Sequence, residues 1–277
     1  MNYPIPLTSL VAFIALMVST AGWASTASSS CYQQLNLEMP ENNINSALYI
    51  FIDQTMPLNS RMRSNLSALL STHPKSGEQV RVARFSPNIK GQFTELSYEG
   101  FLDSKPSEAY LYQLKESQKE ALQTCINRQK IEAKQLLIRA VKRDLELINT
   151  QLPHTNLLYA LKRLSETVLI DDTIDDKTVL IVSDGLENSE VSSFYRRRTI
   201  ATINSEKEMS KVIKHQLLAD WHGAKVYMFG LGNIKDERKQ VKPSQLESLK
   251  KFWNSYFTAG GATVKELGTP ALLSRQL

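Results

Sequence analysis

The start of this chain lacks charge: no Asp, Glu, Lys or Arg precedes Glu38. Leu7 to Trp23 is apolar, small residues follow, and Gly22-Trp23-Ala24 offers a cleavage signal. Residues 1–24 therefore read as a secretory signal peptide, although the n-region has no Lys or Arg. The competing reading is an uncleaved N-terminal anchor, since the stretch is near the lower length limit for a transmembrane helix. Only in that case would the chain meet a membrane. Ser28-Ser29-Ser30 before Cys31 lacks the apolar residue of a lipid-attachment site. The expected location is outside the cytoplasm, periplasmic or extracellular.

Cysteine is scarce as well. Cys31 and Cys125 are the two present, too few for a disulfide scaffold or a thiolate metal site. In an exported chain they predict one disulfide, closing a loop worth roughly 4–5 kcal/mol in the chain-entropy model. Two unrelated buried thiols are the alternative if the chain stays inside the cell. The four histidines, His73, His154, His215 and His222, have no metal-ligand spacing, and no Ser-His-Asp grouping can be named. No catalytic residue is nominated. Internal repeats and low-complexity segments are absent, which argues against solenoids and disordered tails. Aromatic residues are not interleaved with basic ones, so a nucleic-acid surface is not expected.

What remains is an ordinary globular composition: 277 residues, 42% hydrophobic, 22% charged, net charge +5. That suits one domain with insertions. Residues 25–46 form a polar lead-in, and residues 47–277 the domain. Two short apolar runs end in aspartate: Leu48-Tyr49-Ile50-Phe51-Ile52 before Asp53, and Val179-Leu180-Ile181-Val182 before Ser183-Asp184-Gly185. Such runs read as strands buried on both faces. Further strands are expected over Gln79–Phe85, Phe93–Tyr98, Lys225–Gly230 and Thr263–Leu267. The first two of these should be joined by a hairpin loop at Pro87–Gly91. Helices are expected over Arg61–Leu70, Leu157–Leu164, Glu206–Trp221 and Pro243–Phe257. Ser107–Asn149, free of Gly and Pro, predicts one very long helix or two in succession. Ser189–Asn204 reads as a long polar loop carrying Arg196-Arg197-Arg198.

The alternation implies an α/β fold: a doubly wound, mostly parallel sheet with one antiparallel hairpin strand, plus a long helical insertion over 107–149. In open α/β sheets ligands sit outside the carboxyl ends of the strands. Asp53 and Thr55, Thr155, and Asp184 should converge there. Oxygen donors of this kind suit a hard divalent cation, above all Mg²⁺.

In these motifs the sequence resembles the von Willebrand factor A domain, over roughly Ala47 to Leu267. The first motif stands as Asp53-Gln54-Thr55-Met56-Pro57, the threonine as Thr155 before Asn156-Leu157-Leu158, and the strand-end motif as Ser183-Asp184-Gly185. The resemblance implies a metal-ion-dependent adhesion site holding Mg²⁺ or Mn²⁺. Thr55 and Thr155 would ligate directly, Asp53 and Asp184 largely through water. A carboxylate of a partner protein would take the open position. Pro57 stands where the family has a second serine and offers no hydroxyl, which leaves that place to water or the site without metal. In the second case Asp53 and Asp184 make only loop hydrogen bonds in a degenerate domain.

The contact face on this reading is the top of the sheet, with Asn59, Asn156, Glu187, Arg196, Arg197 and Arg198 facing an acidic protein partner. The function implied is protein–protein contact or assembly of an envelope or surface complex. Two alternatives remain. One is an architectural scaffold working through the long helices. The other is a haloacid-dehalogenase-like phosphotransferase using Asp53 as nucleophile, which Asp53-Gln54-Thr55 also resembles. That reading lacks the paired acid after Asp184.

Overall fold

The computed structural model describes residues 29–277 except 87–92, 149–155, 170–172, 197–198, 235–240, 270 and 275. The expected signal peptide or anchor lies outside the described residues. Among them, no helix is long and apolar enough to cross a membrane.

The apolar runs become the strands of one six-stranded sheet: β1 (Ser46–Asp53), β2 (Glu78–Ser86), β3 (Phe93–Leu102), β4 (Asp176–Val182), β7 (Lys225–Phe229) and β8 (Thr263–Leu267). The order is β3-β2-β1-β4-β7-β8. All neighbours are parallel except β2 and β3, as the hairpin predicts. Period-two side-chain alternation divides each central strand between two cores. Tyr49, Phe51, Val179 and Ile181 face one; Leu48, Ile50, Ile52, Leu180 and Val182 face the other. Helices cover both faces, so both sets are apolar and the strands read as continuous hydrophobic runs.

Leu157, Leu158, Leu161 and Leu164 of α5 (Leu157–Thr167) share the first core with Leu249, Phe252, Trp253, Tyr256 and Phe257 of α7 (Pro243–Ala259). The second core is closed by α2 (Ser60–Leu70) and the C-terminal half of α4 (Glu116–Glu146). The long segment resolves into two unequal helices, α3 (Glu108–Tyr112) and the 31-residue α4. A third, smaller cluster joins Cys31 and Tyr32 of α1 (Cys31–Gln34) to Leu102, Leu122, Cys125 and Ile126. It lies where β3 ends beside the starts of β1 and β2, at the opposite end of the sheet from Asp53. The Cys31–Cys125 disulfide is formed there, as expected.

Three local expectations differ. β3 runs on past Tyr98 to Leu102, where it still pairs with β2 as far as Glu78, and a bulge at Ser97 shifts its alternation within the strand. The helix expected to reach Trp221 is α6 (Ser205–Lys214) and stops at His215–Gln216, where Gln216 takes a positive φ. Trp221 instead bonds its amide to the Gly260 carbonyl and packs edge-on against Phe257. The polar loop after β4 folds back as a two-stranded ribbon, β5 (Tyr195–Arg196) with β6 (Thr199–Ile200).

Candidate functional site

Neighbouring strands β1 and β4 depart in opposite directions along the sheet, β1 leading to β2 on one side and β4 to β7 on the other. A crevice opens at such a reversal beyond the strands' carboxyl ends. Asp53 is the last residue of β1, and Ser183-Asp184-Gly185 follows β4 directly.

The two motifs are joined. Asp53 Oδ1 accepts from the Thr55 amide at 2.8 Å and the Thr55 hydroxyl at 2.6 Å. Asp53 Oδ2 accepts from the Ser183 hydroxyl at 2.7 Å, across 130 residues of sequence. Ser183 Oγ also accepts from the Gly185 amide, and Asp184 Oδ1 from the Leu186 amide. Gly185 turns with φ +71°, and a β-carbon there would fall 2.4 Å from Leu231 Cδ1 and 2.8 Å from Trp253 Nε1. Glycine is the residue this turn requires.

The third component is the start of α5. Its N-cap, Asn156, makes no side-chain capping bond. Glu187 does so from another loop, its Oε2 accepting from the Leu158 amide at 2.9 Å. A carboxylate at a helix N-terminus meets both the orphan amides and the positive end of the macrodipole. Burial nevertheless dominates and pushes the Glu187 carboxyl up to about 7; Ser189 and the Leu158 and Leu157 amides oppose this, and the Asp53 charge adds to it.

The ribbon supplies the fourth. Tyr195 lies beside Asp184 and is held well above the usual phenol range, first by burial and then by the charges of Asp184 and Asp53. Two carboxylates therefore meet the hydroxyls of Thr55 and Ser183, with the Tyr195 phenol beside them, in a nearly closed cluster. Asp53 is fully buried and Asp184 is 3% exposed.

Of the residues expected at the site, Asp53, Thr55 and Asp184 come together, while Thr155, Arg197 and Arg198 lie outside the described residues. Arg196 is placed in β5. Asn59 is exposed and caps α2, accepting from the Met62 amide. Glu187, expected on the contact surface, points inward at 1% exposure. Pro57 adds no hydroxyl, and its carbonyl already accepts from Asn233 Nδ2 at 3.0 Å.

Sequence reasoning assigned no role to the Ser183 hydroxyl, Gln54 or Tyr195. Ser183 lies inside the motif and could have been read from it. Gln54, which donates to the Asp144 carbonyl at the end of α4, and Tyr195 have their roles only through the tertiary fold. The phosphotransferase alternative meets a plain obstacle here: both Asp53 oxygens are hydrogen-bonded and shut away from solvent.

No protein-family model matches the chain, and no curated protein matches it. Among solved structures the chain is similar to an aerotolerance-related membrane protein from Bacteroides fragilis, at 10% identity over 82% of this chain and 93% of that one, with a TM-score of 0.34. It is also similar to the pilus adhesin SpaC from Lactobacillus rhamnosus GG, at 12% identity over 84% of this chain, with a TM-score of 0.40. It spans only 29% of the adhesin's length.

Proposed function

We propose that this chain is an exported protein-contact module of the von Willebrand A type, using the top of its sheet as the contact face. The observation that carries the reading is the Asp53–Ser183–Asp184 junction at the reversal point between β1 and β4. A fold that merely closed its sheet would have no need of two buried carboxylates there, since buried charge is costly unless it is compensated.

On this reading the cluster is also a site for Mg²⁺ or Mn²⁺. The donors fit in kind: all are oxygens, and a hydroxyl that gives its proton to a carboxylate keeps lone pairs for a cation. Thr55 and Thr155 would hold the ion directly, and Asp53 and Asp184 through water. Water would also stand where Pro57 offers nothing. The bound cation would supply an electrophilic point for a carboxylate of an acidic partner. Entry requires the Tyr195 phenol to move aside from Asp184.

Titration calorimetry with Mg²⁺ and Mn²⁺ tests this. Saturable heat should be seen for the native chain, be lost in Thr55→Ala, and be strengthened several-fold in Tyr195→Phe. Absence of both heat and thermal stabilisation in the native chain and in Tyr195→Phe would remove the cation from the proposal.

A further inference from the structure

Away from the sheet's top, α2 and α4 leave an open trough between them with a volume of about 300 Å³. Its walls are Leu66 and Leu70 of α2 and Ile138, Val141 and Leu145 of α4. Leu66, Leu70, Val141 and Leu145 are buried and Ile138 is half-buried, so the trough is a narrow apolar cleft and not an exposed patch. This one is at the lower end of the ~300–1,000 Å³ typical of small-molecule sites.

Its polar residues are unequal in sign: Arg63 and Lys142 line it, with Ser64 and Ser67, and no carboxylate does. Arg63 is half-buried and fixed in place. Its Nε donates to the Leu58 carbonyl at 3.0 Å and its Nη2 to the Leu145 carbonyl at 3.4 Å. Those bonds engage two of a guanidinium's five N–H donors. Among the described residues no carboxylate stands within ion-pair distance of it. Lys142 is 74% exposed, with Glu146 at a loose 3.9 Å. Arg63 and Leu145 mark one end of the trough, because Leu58 leads out of β1 and the neighbouring Asp144 carbonyl receives Gln54. Leu70, at the far end of α2, marks the other.

We propose that this trough binds a single-chain anionic amphiphile, a fatty carboxylate, with its tail between α2 and α4 and its carboxylate at Arg63 and Lys142. A preoriented guanidinium with spare donors recognises a carboxylate with direction as well as charge. The tail itself, and the part of Ile138 still exposed, would gain from losing contact with water.

Calorimetric titration of the native chain with decanoate, below its micelle concentration, should show saturable one-to-one binding. Decyltrimethylammonium, with the same tail and the opposite head, should bind at least tenfold more weakly. Ser67→Trp fills the trough from an exposed helix position and should weaken decanoate at least tenfold. Lys142→Glu, at a solvated position, should weaken it several-fold. Failure of decanoate to saturate, equal binding of the two heads, or decanoate affinity unchanged in both variants would overturn the proposal. None of these readouts depends on cations or on the top of the sheet.

Discussion

At the scale of single residues, Glu187 gives the sharpest expectation. Its carboxyl is pushed up from 4.5 to about 7, chiefly by burial. The folded chain thus holds this proton more tightly than the unfolded chain, and stability falls as pH rises from 4.5 through 7. At ~1.4 kcal/mol per pH unit the whole effect is of order 3 kcal/mol. Glu187→Gln keeps an oxygen for the Leu158 amide and removes the charge. It should match the native chain in urea denaturation at pH 4.5 and be more stable at pH 8, with a flatter profile between. Equal slopes for both proteins would show that Glu187 does not titrate in this window. Sequence alone placed Glu187 on the surface because an acid after a Ser-Asp-Gly turn is ordinarily solvated. Only the approach of α5, far away in the chain, turns it inward.

At the scale of elements, α4 binds the molecule end to end. Cys125, in its first half, is bonded to Cys31 across a separation of 94 residues, while its last turns meet Gln54 and Arg63 beside the Asp53 loop. Buried Asp103 is a second tie at the disulfide end, accepting from the Ser30 hydroxyl, the Cys31 amide and Asn43 Nδ2. Cys125→Ser should therefore cost about 4–5 kcal/mol of global stability by loop entropy. The Cys31 amide should still stay protected from hydrogen exchange, because Asp103 holds it. Asp103→Ala in the oxidised protein should show the reverse, with a freely exchanging Cys31 amide. If Cys125→Ser alone releases that amide, the carboxylate is not an independent tie. The elements themselves were legible where period and type agree: β1 and β4 are runs of buried branched and aromatic residues, and α7 keeps its helical spacing from Pro243 to Phe257. Legibility failed where tertiary contacts reassigned apolar residues. Leu217 and Trp221 continue the spacing of α6, yet the chain turns at Gln216 and Trp221 packs against α7 instead.

At the scale of the whole molecule, two surfaces compete to be the working one: the top of the sheet around Asp53 and Asp184, and the solvent face of α4. The sequence made the first visible, since both aspartates close apolar runs, but it could not show that Ser183 links their loops or that Tyr195 lies beside them. The closed cluster makes alanine a poor probe, because removing a buried carboxylate strands its donors. Asp53→Asn with Asp184→Asn preserves shape and removes charge. Charge reversal at exposed Lys130, Lys134 and Arg139 changes the α4 face without touching the core. Affinity capture from a native envelope extract, with each variant matched to the native chain in thermal unfolding, separates the two. If the top face works, the double Asn variant and a chelator should each abolish capture of the same partner, and the reversed α4 should retain it. Loss of capture confined to the reversed α4 would make the long helix the contact surface. The aspartate cluster would then be a means of joining β1 to β4.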